Sequence, residues 1–217
     1  MPYQSQYNHI PPTNWPSLTP FYDFFCSISG LGKNFKEKVL RSVPVENAQI
    51  VADIGCGTGV FLKIAKQKYP SVQFIGLDPD RPALEIAKKR LARAGLNVEL
   101  KEAFAESLPL SDRSIDVCFS TLAFHHMPDS SKQKAVEEIH RILKPGGRVV
   151  IADFGASESI WMRRILSFFD KWEYLEGNFK GLIPQYLKEV GFRDITTVGK
   201  HFPQIKILTA QKNYDRR

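Results

Sequence analysis

The sequence predicts an α/β protein in which helices cover both faces of a mostly parallel sheet. Short apolar runs suited to buried strands alternate with segments whose apolar residues recur at helical spacing. Glycines and prolines mark the boundaries between these segments. The first run, residues 51–54, passes at once into a glycine-dense turn and then into a helical segment from Val60. The 217 residues are enough for one domain with a sizeable core.

Seven strands and four main helices follow from this alternation. The strands are expected at about 49–54, 72–78, 97–101, 114–120, 148–153, 192–198 and 205–211. The helices are expected at about 60–69, 81–94, 130–143 and 183–190. Residues 143–147, Leu-Lys-Pro-Gly-Gly, are typical of a sharp turn that ends the third of these helices.

Two segments lie outside the alternation and define the predicted domain plan. Residues 1–20 hold five prolines, which disfavour helices and central strands, so they predict a flexible arm. The single domain then occupies 21–217, with a helical cap at 21–44 made of two short helices. An insert at 155–180 predicts a helical lid after the fifth strand.

The lid insert carries an apolar stripe at helical spacing. Its members are Trp161, Ile165, Phe168, Phe169 and Trp172. The stripe caps the core and shapes a site for a hydrophobic substrate, or it makes a peripheral membrane contact through 160–172. We favour the cap and lid.

Composition limits the cellular setting and the partners. The net charge is +7, and the basic residues read as spread along the chain rather than gathered in one stripe, so no specific nucleic-acid partner is expected. Three cysteines with no metal-ligand spacing suit a reducing compartment and predict no metal site. No secretory signal pattern is present, so a cytoplasmic protein is expected. The oligomeric state is left open.

The turn after the first strand indicates a ligand site. Gly55, Gly57 and Gly59 lack the Cβ atoms that would keep a ligand from the backbone, and they permit positive φ. The following helix N-terminus attracts an anion. Asp53 adds a carboxylate at the same place, which indicates that the ligand also carries a positive group. An amino acid moiety has both charges.

The segment Asp-Ile-Gly-Cys-Gly-Thr-Gly at 53–59 resembles the first motif of class I S-adenosyl-L-methionine (SAM) dependent methyltransferases. Its glycines differ in spacing from the dinucleotide pattern G-x-G-x-x-G. The resemblance covers about 45–212. It implies a Rossmann-like, doubly wound sheet of order 3-2-1-4-5-7-6 with an antiparallel seventh strand. It also implies SAM as cofactor and S-adenosyl-L-homocysteine as product.

The N-terminal cap indicates a narrower group within this family. A Tyr-Asp pair at 22–23, ahead of a glycine-containing turn, resembles the cap of ubiquinone/menaquinone-biosynthesis-like methyltransferases. That resemblance places Tyr22 over the cofactor. The alternative is that the aromatic residues near Tyr22 form a helix face on the core.

The resemblance implies a set of cofactor-binding residues along the predicted carboxyl edge of the sheet. They are Asp53, Gly55, Cys56, Gly57, Gly59, Asp78, Pro79, Phe104, Ala105, Glu106, Ser120 and Tyr22. Asp78 ends the second strand, where a carboxylate can accept from both ribose hydroxyls. Phe104 departs from the family, which usually has an acid there. Either Phe104 stacks on adenine, or Glu106 substitutes for that acid, or the Ala105 backbone hydrogen-bonds adenine without a special side chain.

Two histidines follow the fourth strand. His125 and His126 lie at the predicted switch point between strands one and four, and they match the family's common His-His pair. An imidazole titrates near neutral pH, so either ring is a candidate general base. The alternative is that they only shape the pocket. Asp153 ends the fifth strand as a substrate contact or a loop cap.

These observations predict a SAM-dependent methyltransferase that transfers a methyl group by in-line displacement to a small, partly hydrophobic acceptor. The Asn/Asp-Pro-Pro-Tyr/Phe motif of DNA amino-methyltransferases is missing after strand four, and no Pro-Cys pair supports cytosine methylation. One alternative is a phospholipid or macromolecule methyltransferase. Another is a non-catalytic SAM-binding regulatory protein, because fold alone does not fix function.

Overall fold

The computed structural model of the chain describes residues 30–46, 49–156, 174–201 and 204–214. Tyr22, the arm at 1–20 and the apolar stripe at 161–172 lie outside the described residues. Within the described ranges no helix is long and apolar enough to cross a membrane.

The described elements alternate as the sequence predicts. The strands are β1 Ile50–Ile54, β2 Gln73–Asp78, β3 Glu99–Glu102, β4 Ile115–Thr121, β5 Leu143–Phe154, β6 Phe192–His201 and β7 Ile205–Lys212. The helices are α1 Lys33–Leu40, α2 Val60–Lys68, α3 Arg81–Arg93, α4 Asp129–Ile142, α5 Leu175–Lys180 and α6 Leu182–Val190. A 3-10 turn spans Phe124–His126.

The seven strands form one sheet of order β3-β2-β1-β4-β5-β7-β6. β1 to β5 are parallel neighbours, whereas β7 runs antiparallel to both β5 and β6. The predicted Rossmann-like order and the antiparallel seventh strand are therefore confirmed. The chain reverses its winding direction between β1 and β4, so a crevice opens outside the carboxyl ends of these two strands.

Alternate residues of the parallel strands enter two separate cores. Val51 and Val117 point into a cluster covered by α1, α2 and α3. Their neighbours Ala52 and Cys118 point into a second cluster, which α4 and α6 cover. Because both faces of these strands are buried, their sequences read as continuous apolar runs.

The fifth strand begins earlier than the sequence predicts. Leu143 already pairs with Ile115, but the next pair joins Val117 to Arg148. The intervening Lys-Pro-Gly-Gly residues bulge out of the register, and Gly146 has a φ of 78°. The segment 143–147 does end α4 sharply, and it also belongs to β5 because the bulge keeps the strand beside β4.

The charge is not spread evenly, and that prediction is wrong. Helices α1, α2 and α3 carry eleven Lys and Arg against two Glu, a net charge of +9. Helices α4, α5 and α6 carry equal numbers of basic and acidic residues. The three basic helices lie far apart in the sequence, and only the fold brings them to one face. We call α1, α2 and α3 the basic layer.

Substitutions at two glycines can test whether close packing fixes the turn between β1 and α2. Gly59 and Gly95 both have left-handed φ values, 75° and 65°. A Cβ at Gly59 would lie 2.8 Å from the Cβ of Ala87, whereas a Cβ at Gly95 meets nothing within 4 Å. We expect Gly95→Ala to lower the free energy of unfolding by about 1–2 kcal/mol from backbone strain alone.

Gly59→Ala adds a steric clash to the same strain. We expect it to cost about 1–3 kcal/mol more than Gly95→Ala, because α3 must shift to accept the methyl group. Urea unfolding of the two variants and the parent protein measures both losses. Equal losses would show that the contact with Ala87 does not constrain the turn.

Candidate active site

The glycine turn closes tightly against the second strand. The backbone N–H groups of Gly55 and Cys56 both donate to the Leu77 carbonyl, at 2.8 and 3.0 Å. A Cβ at Gly55 would lie 2.3 Å from the Cβ of Ala123. Gly57 differs, because a Cβ there would meet no atom within 4 Å. The turn is thus packed at Gly55 and open at Gly57, where its backbone faces the crevice.

Asp53 is a buried carboxylate with no hydrogen-bond partner in the described part of the chain. The residue is 1% exposed, and neither oxygen accepts a hydrogen bond there. Burial raises the pKa of Asp53 to about 7, Lys36 on α1 lowers it and Asp78 raises it further. A buried, unsatisfied carboxylate is costly, so this position suits a ligand with a cationic donor.

Asp78 braces the same turn. Its Oδ2 accepts the Gly57 N–H at 2.7 Å, and its Oδ1 accepts the Asp80 N–H at 2.8 Å. Burial raises the pKa of Asp78 to about 6, against the lowering effect of these two hydrogen bonds. Asp80 caps α3 by accepting the Ala83 N–H. Because Asp80 supplies this cap, Asp78 is not needed for it, and each Asp78 oxygen keeps one lone pair for a ligand hydroxyl.

Two predicted cofactor residues direct their side chains into the protein. The Cys56 thiol lies in the core cluster under α2, and burial raises its pKa. The Ser120 hydroxyl donates to the Ile54 carbonyl at 2.9 Å and ties β4 to the end of β1. Cys56 offers only backbone to the crevice, and Ser120 acts on the strand that ends there.

The segment after β3 is held next to Asp78. The Ala103 N–H donates to the Asp78 carbonyl at 3.1 Å. Ala105 is buried, whereas Phe104 and Glu106 are half-buried. Pro79 is also half-buried at the end of β2. These residues form the side of the crevice that the resemblance gives to the adenosine part of SAM.

A charged pair on α4 holds the continuation of this segment, which packs in the same core cluster as α4. Arg141 donates to the carbonyls of Leu108 and Leu110, both at 2.9 Å. Glu138 accepts the Leu108 N–H at 2.7 Å and two hydrogen bonds from Arg141. These contacts lower the pKa of Glu138. Glu138 and Arg141 thus position the adenine side of the crevice, although they do not line the crevice themselves.

The turn after β4 places the two histidines. Leu122 has a positive φ of 57°, a strained backbone for a leucine, and its N–H donates to the Ala152 carbonyl at 2.8 Å. This turn leads the chain into the 3-10 turn that carries both histidines. Strain held in place by strand contacts at this point fits a functional turn.

His125 and Asp153 form a buried pair at the ends of β4 and β5. The distance from His125 Nδ1 to Asp153 Oδ1 is 2.8 Å, and their side chains are 6% and 2% exposed. Asp153 also accepts the backbone N–H groups of Phe124 and Phe154 and the side-chain amide of Asn178. Asp153 is therefore both the partner of His125 and the cap of the local loops.

His126 lies against this pair. Its ring centroid is 4.0 Å from that of His125, with the planes tilted by 41°. Phe154 contacts the edge of His125 at 5.0 Å, and Phe179 of α5 contacts Phe154 at 6.4 Å. The structure brings both predicted histidines together in a setting of aromatic rings.

Three residues of the site were missed by sequence reasoning. Thr121 ends β4 with a buried hydroxyl that has no hydrogen-bond partner in the described ranges. Asn178 is 1% exposed and bridges Asp153 to the Phe154 carbonyl. Lys36 reaches the electrostatic environment of Asp53 from α1. Of these three residues, only Thr121 could have been found from the sequence, because it directly follows the predicted fourth strand.

The residues of the crevice fit SAM. Asp53 offers two unsatisfied oxygens for the ammonium of the amino acid moiety, and the open backbone at Gly57 leaves room beside it. Asp78 suits a ribose diol, and the 103–106 segment lies next to it. The Asp53 carboxylate and the N-terminus of α2 beside it match a ligand that carries both a positive and a negative charge.

A family of known sequences matches the central part of the chain. The family described as "Methyltransferase domain" matches residues 51–147, the stretch from β1 to the bulge of β5. This stretch contains the glycine turn, Asp78 and both histidines. This stretch of the chain is a SAM-dependent methyltransferase domain. SAM is the cofactor of this family, as the resemblance implied.

Curated relatives of the chain include methyltransferases of the ubiquinone/menaquinone-biosynthesis type. A demethylmenaquinone methyltransferase of Lactobacillus johnsonii is 31% identical over 141 residues, which are 63% of this chain and 57% of the relative. A ubiquinone/menaquinone biosynthesis C-methyltransferase of Geobacter sulfurreducens is 27% identical over 224 residues, covering 90% of this chain and 85% of the relative. The chain thus spans little more than half of the first relative and most of the second.

A solved structure supports the fold. The phosphoethanolamine N-methyltransferase 2 of Haemonchus contortus, in complex with SAM, matches with a TM-score of 0.75. It is 20% identical and covers 93% of this chain, which spans 58% of that protein. At this identity the likeness establishes a shared fold and nothing finer.

The raised pKa of Asp53 predicts a pH dependence of ligand binding. Below about pH 7 the ligand-free carboxyl holds its proton, and the ligand ammonium prefers the carboxylate. We expect the affinity for S-adenosylhomocysteine to fall about tenfold per pH unit below pH 7, and further as Asp78 protonates near pH 6. Calorimetric titrations at a series of pH values measure this slope.

Asp53→Asn removes the titrating group. We expect about 10- to 100-fold weaker binding at pH 8 and a flat affinity between about pH 6.5 and pH 8, because a neutral amide replaces a charged hydrogen-bond acceptor. The exposed Asp194→Asn serves as control and keeps the parent profile. A pH-independent affinity in the parent protein would contradict the role given to Asp53.

Replacing Arg141 is expected to weaken cofactor binding, although Arg141 does not line the crevice. Arg141→Met frees the Leu108 and Leu110 carbonyls, so we expect about 1–3 kcal/mol less stability and about tenfold weaker S-adenosylhomocysteine binding. Faster hydrogen exchange confined to residues 103–110 distinguishes positioning from general loosening. Arg93→Met, on an exposed part of α3, is the matched control. Unchanged binding and exchange would show that the segment holds its place without Arg141.

Proposed function

We propose that the protein methylates a ring carbon of a small, partly hydrophobic hydroquinone, such as a demethylmenaquinol. Two observations support this acceptor. The names of the curated relatives include demethylmenaquinone methyltransferases. The acceptor side of the crevice combines aromatic rings with two imidazoles, which suits a flat aromatic molecule that must lose protons.

The observation that carries the proposal is the buried His125–Asp153 pair with His126 stacked against it. With Nδ1–H donating to Asp153, the accepting lone pair of His125 resides on Nε2. Asp153 is held by three further donors and cannot turn away. The ring of His125 therefore has a fixed orientation, and through their contact it limits the orientation of His126.

Bound SAM supplies an electrophilic methyl group on a sulfonium. The protein's own task is to orient the acceptor and to manage its protons. A hydroquinone carbon becomes nucleophilic when a neighbouring hydroxyl gives up its proton, and we assign the acceptance of this proton to His126, whose ring lies against that of His125. The carbon gains the methyl group, and its own hydrogen then leaves as a proton to restore the aromatic ring. Positioning by the aromatic rings contributes to the same step.

The phospholipid alternative draws on the basic layer, because its charge favours an anionic lipid. A phosphorylated or phospholipid amine would also need a base, since an ammonium must lose a proton before it can accept a methyl group. The histidines alone do not separate these acceptors. A direct transfer assay with defined acceptors does.

The assay uses SAM with a labelled methyl group and purified protein. We expect label in a short-chain demethylmenaquinol in detergent, and none in phosphatidylethanolamine or in RNA. His126→Asn should lower turnover about 100- to 10,000-fold with S-adenosylhomocysteine affinity unchanged, because it removes a general base and leaves the cofactor side intact.

The matched control is His140→Asn. His140 lies on α4 against Phe192, away from the crevice, and burial together with Lys212 lowers its pKa. This variant should keep parent turnover. Full turnover in His126→Asn would reject the base role. Transfer to phosphatidylethanolamine instead would favour the alternative, and binding of SAM without transfer to any acceptor would point to a regulatory protein.

A further inference from the structure

We propose that the basic layer docks the protein on an anionic membrane surface. The layer consists of α1, α2 and α3, which pack side by side over one core cluster. The choice of a lipid partner rests on the proposed lipid-soluble acceptor. The surface itself rests on the charges and exposure of the described residues.

The charge difference between the two faces of the sheet is large. The basic layer holds eleven Lys and Arg and two Glu. The helices α4 and α6 of the opposite face, taken together with α5, balance to zero, with five charges of each sign. The whole chain carries +7, so the basic layer alone exceeds the net charge of the protein. A surface this one-sided creates a directed electrostatic field.

Seven of the eleven cations of the layer are exposed. The exposed members are Lys33, Lys38, Lys68, Arg81, Lys88, Lys89 and Arg93. Lys89 and Arg93 are four residues apart on one helix, an arrangement that destabilises the isolated protein. No carboxylate in the described ranges forms an ion pair with either of them or with Lys88. An anionic partner would relieve this repulsion.

The surface chemistry of the layer favours lipid headgroups over single-stranded nucleic acid. Its aromatic residues, Phe35 and Phe61, are buried in the core cluster. The layer therefore presents no ring on which an unpaired base could stack. Lysines and arginines alone suit a field of diffuse negative charge, as on the surface of an anionic leaflet.

The layer also reaches the active crevice. α2 begins directly after the glycine turn, and α3 begins at Arg81, directly after its cap Asp80. Lys36 of α1 contributes to the electrostatics of Asp53. Docking through these helices brings the rim of the crevice to the lipid surface, from which a lipid-soluble acceptor would enter.

Vesicle sedimentation tests the proposal with the full chain. We expect little binding to phosphatidylcholine vesicles and strong binding to vesicles with about 30% phosphatidylglycerol. Each cation near such a surface favours binding about fivefold, and salt screens it. Lys88→Glu with Lys89→Glu reverses two exposed charges of the layer, so we expect at least about tenfold weaker binding to the anionic vesicles.

The matched control reverses two exposed lysines of the opposite face, Lys134→Glu with Lys188→Glu. It changes the net charge of the protein by the same amount, and it should retain most of the binding. Circular dichroism and S-adenosylhomocysteine affinity should be unchanged in both double variants, which excludes unfolding as the cause.

Three outcomes would overturn the proposal. They are an absence of phosphatidylglycerol-dependent binding, an equal loss in the control, or tighter binding to a duplex RNA or DNA of 20 base pairs than to the vesicles at equal salt. The result is separable from the proposed function. If the protein methylates the detergent-dispersed quinol but does not bind the vesicles, only the docking proposal fails. If it binds the vesicles but does not methylate the quinol, only the proposed acceptor is wrong.

Discussion

The contact between bare backbone and two alanines is the constraint on which the site depends. Gly55 faces Ala123 and Gly59 faces Ala87 at distances that leave no room for a Cβ. The first contact joins the glycine turn to the segment that leads to the histidines, and the second joins it to α3. Because protein interiors are closely packed, these contacts fix the cofactor side and the acceptor side relative to each other. Gly57, between them, is the position left open for a ligand.

Buried carboxylates then divide the work around this fixed turn. The carboxylate oxygens of Asp78 and Asp153 accept hydrogen bonds mainly from backbone N–H groups, so these residues stabilise the local loops as well as belonging to the site. Asp53 accepts no hydrogen bond from the described residues, and its raised pKa records the cost of that isolation. The contrast identifies Asp53 as the carboxylate that is incomplete without a ligand.

Much of this arrangement was predictable because it is local in sequence. The apolar runs, the glycine turn and the His-His pair each lie within a few residues, so their pattern predicted the strands, the sheet order by resemblance, and the crevice. The start of β5 was not predictable, since Lys-Pro-Gly-Gly is typical of a turn and only pairing with β4 makes it a bulge. Asn178 was missed because its link to Asp153 is a tertiary contact. The basic layer was missed because three separate segments supply it.

The uneven charge of the helices on the two faces contributes an electric dipole directed across the sheet. In the field of a charged surface a dipole experiences a torque, so the molecule turns before it makes contact. Orientation at encounter is then set by long-range electrostatics rather than by a search through short-range contacts. Raising the ionic strength shortens the distance over which this alignment acts, so salt alters the geometry of approach as well as the strength of binding.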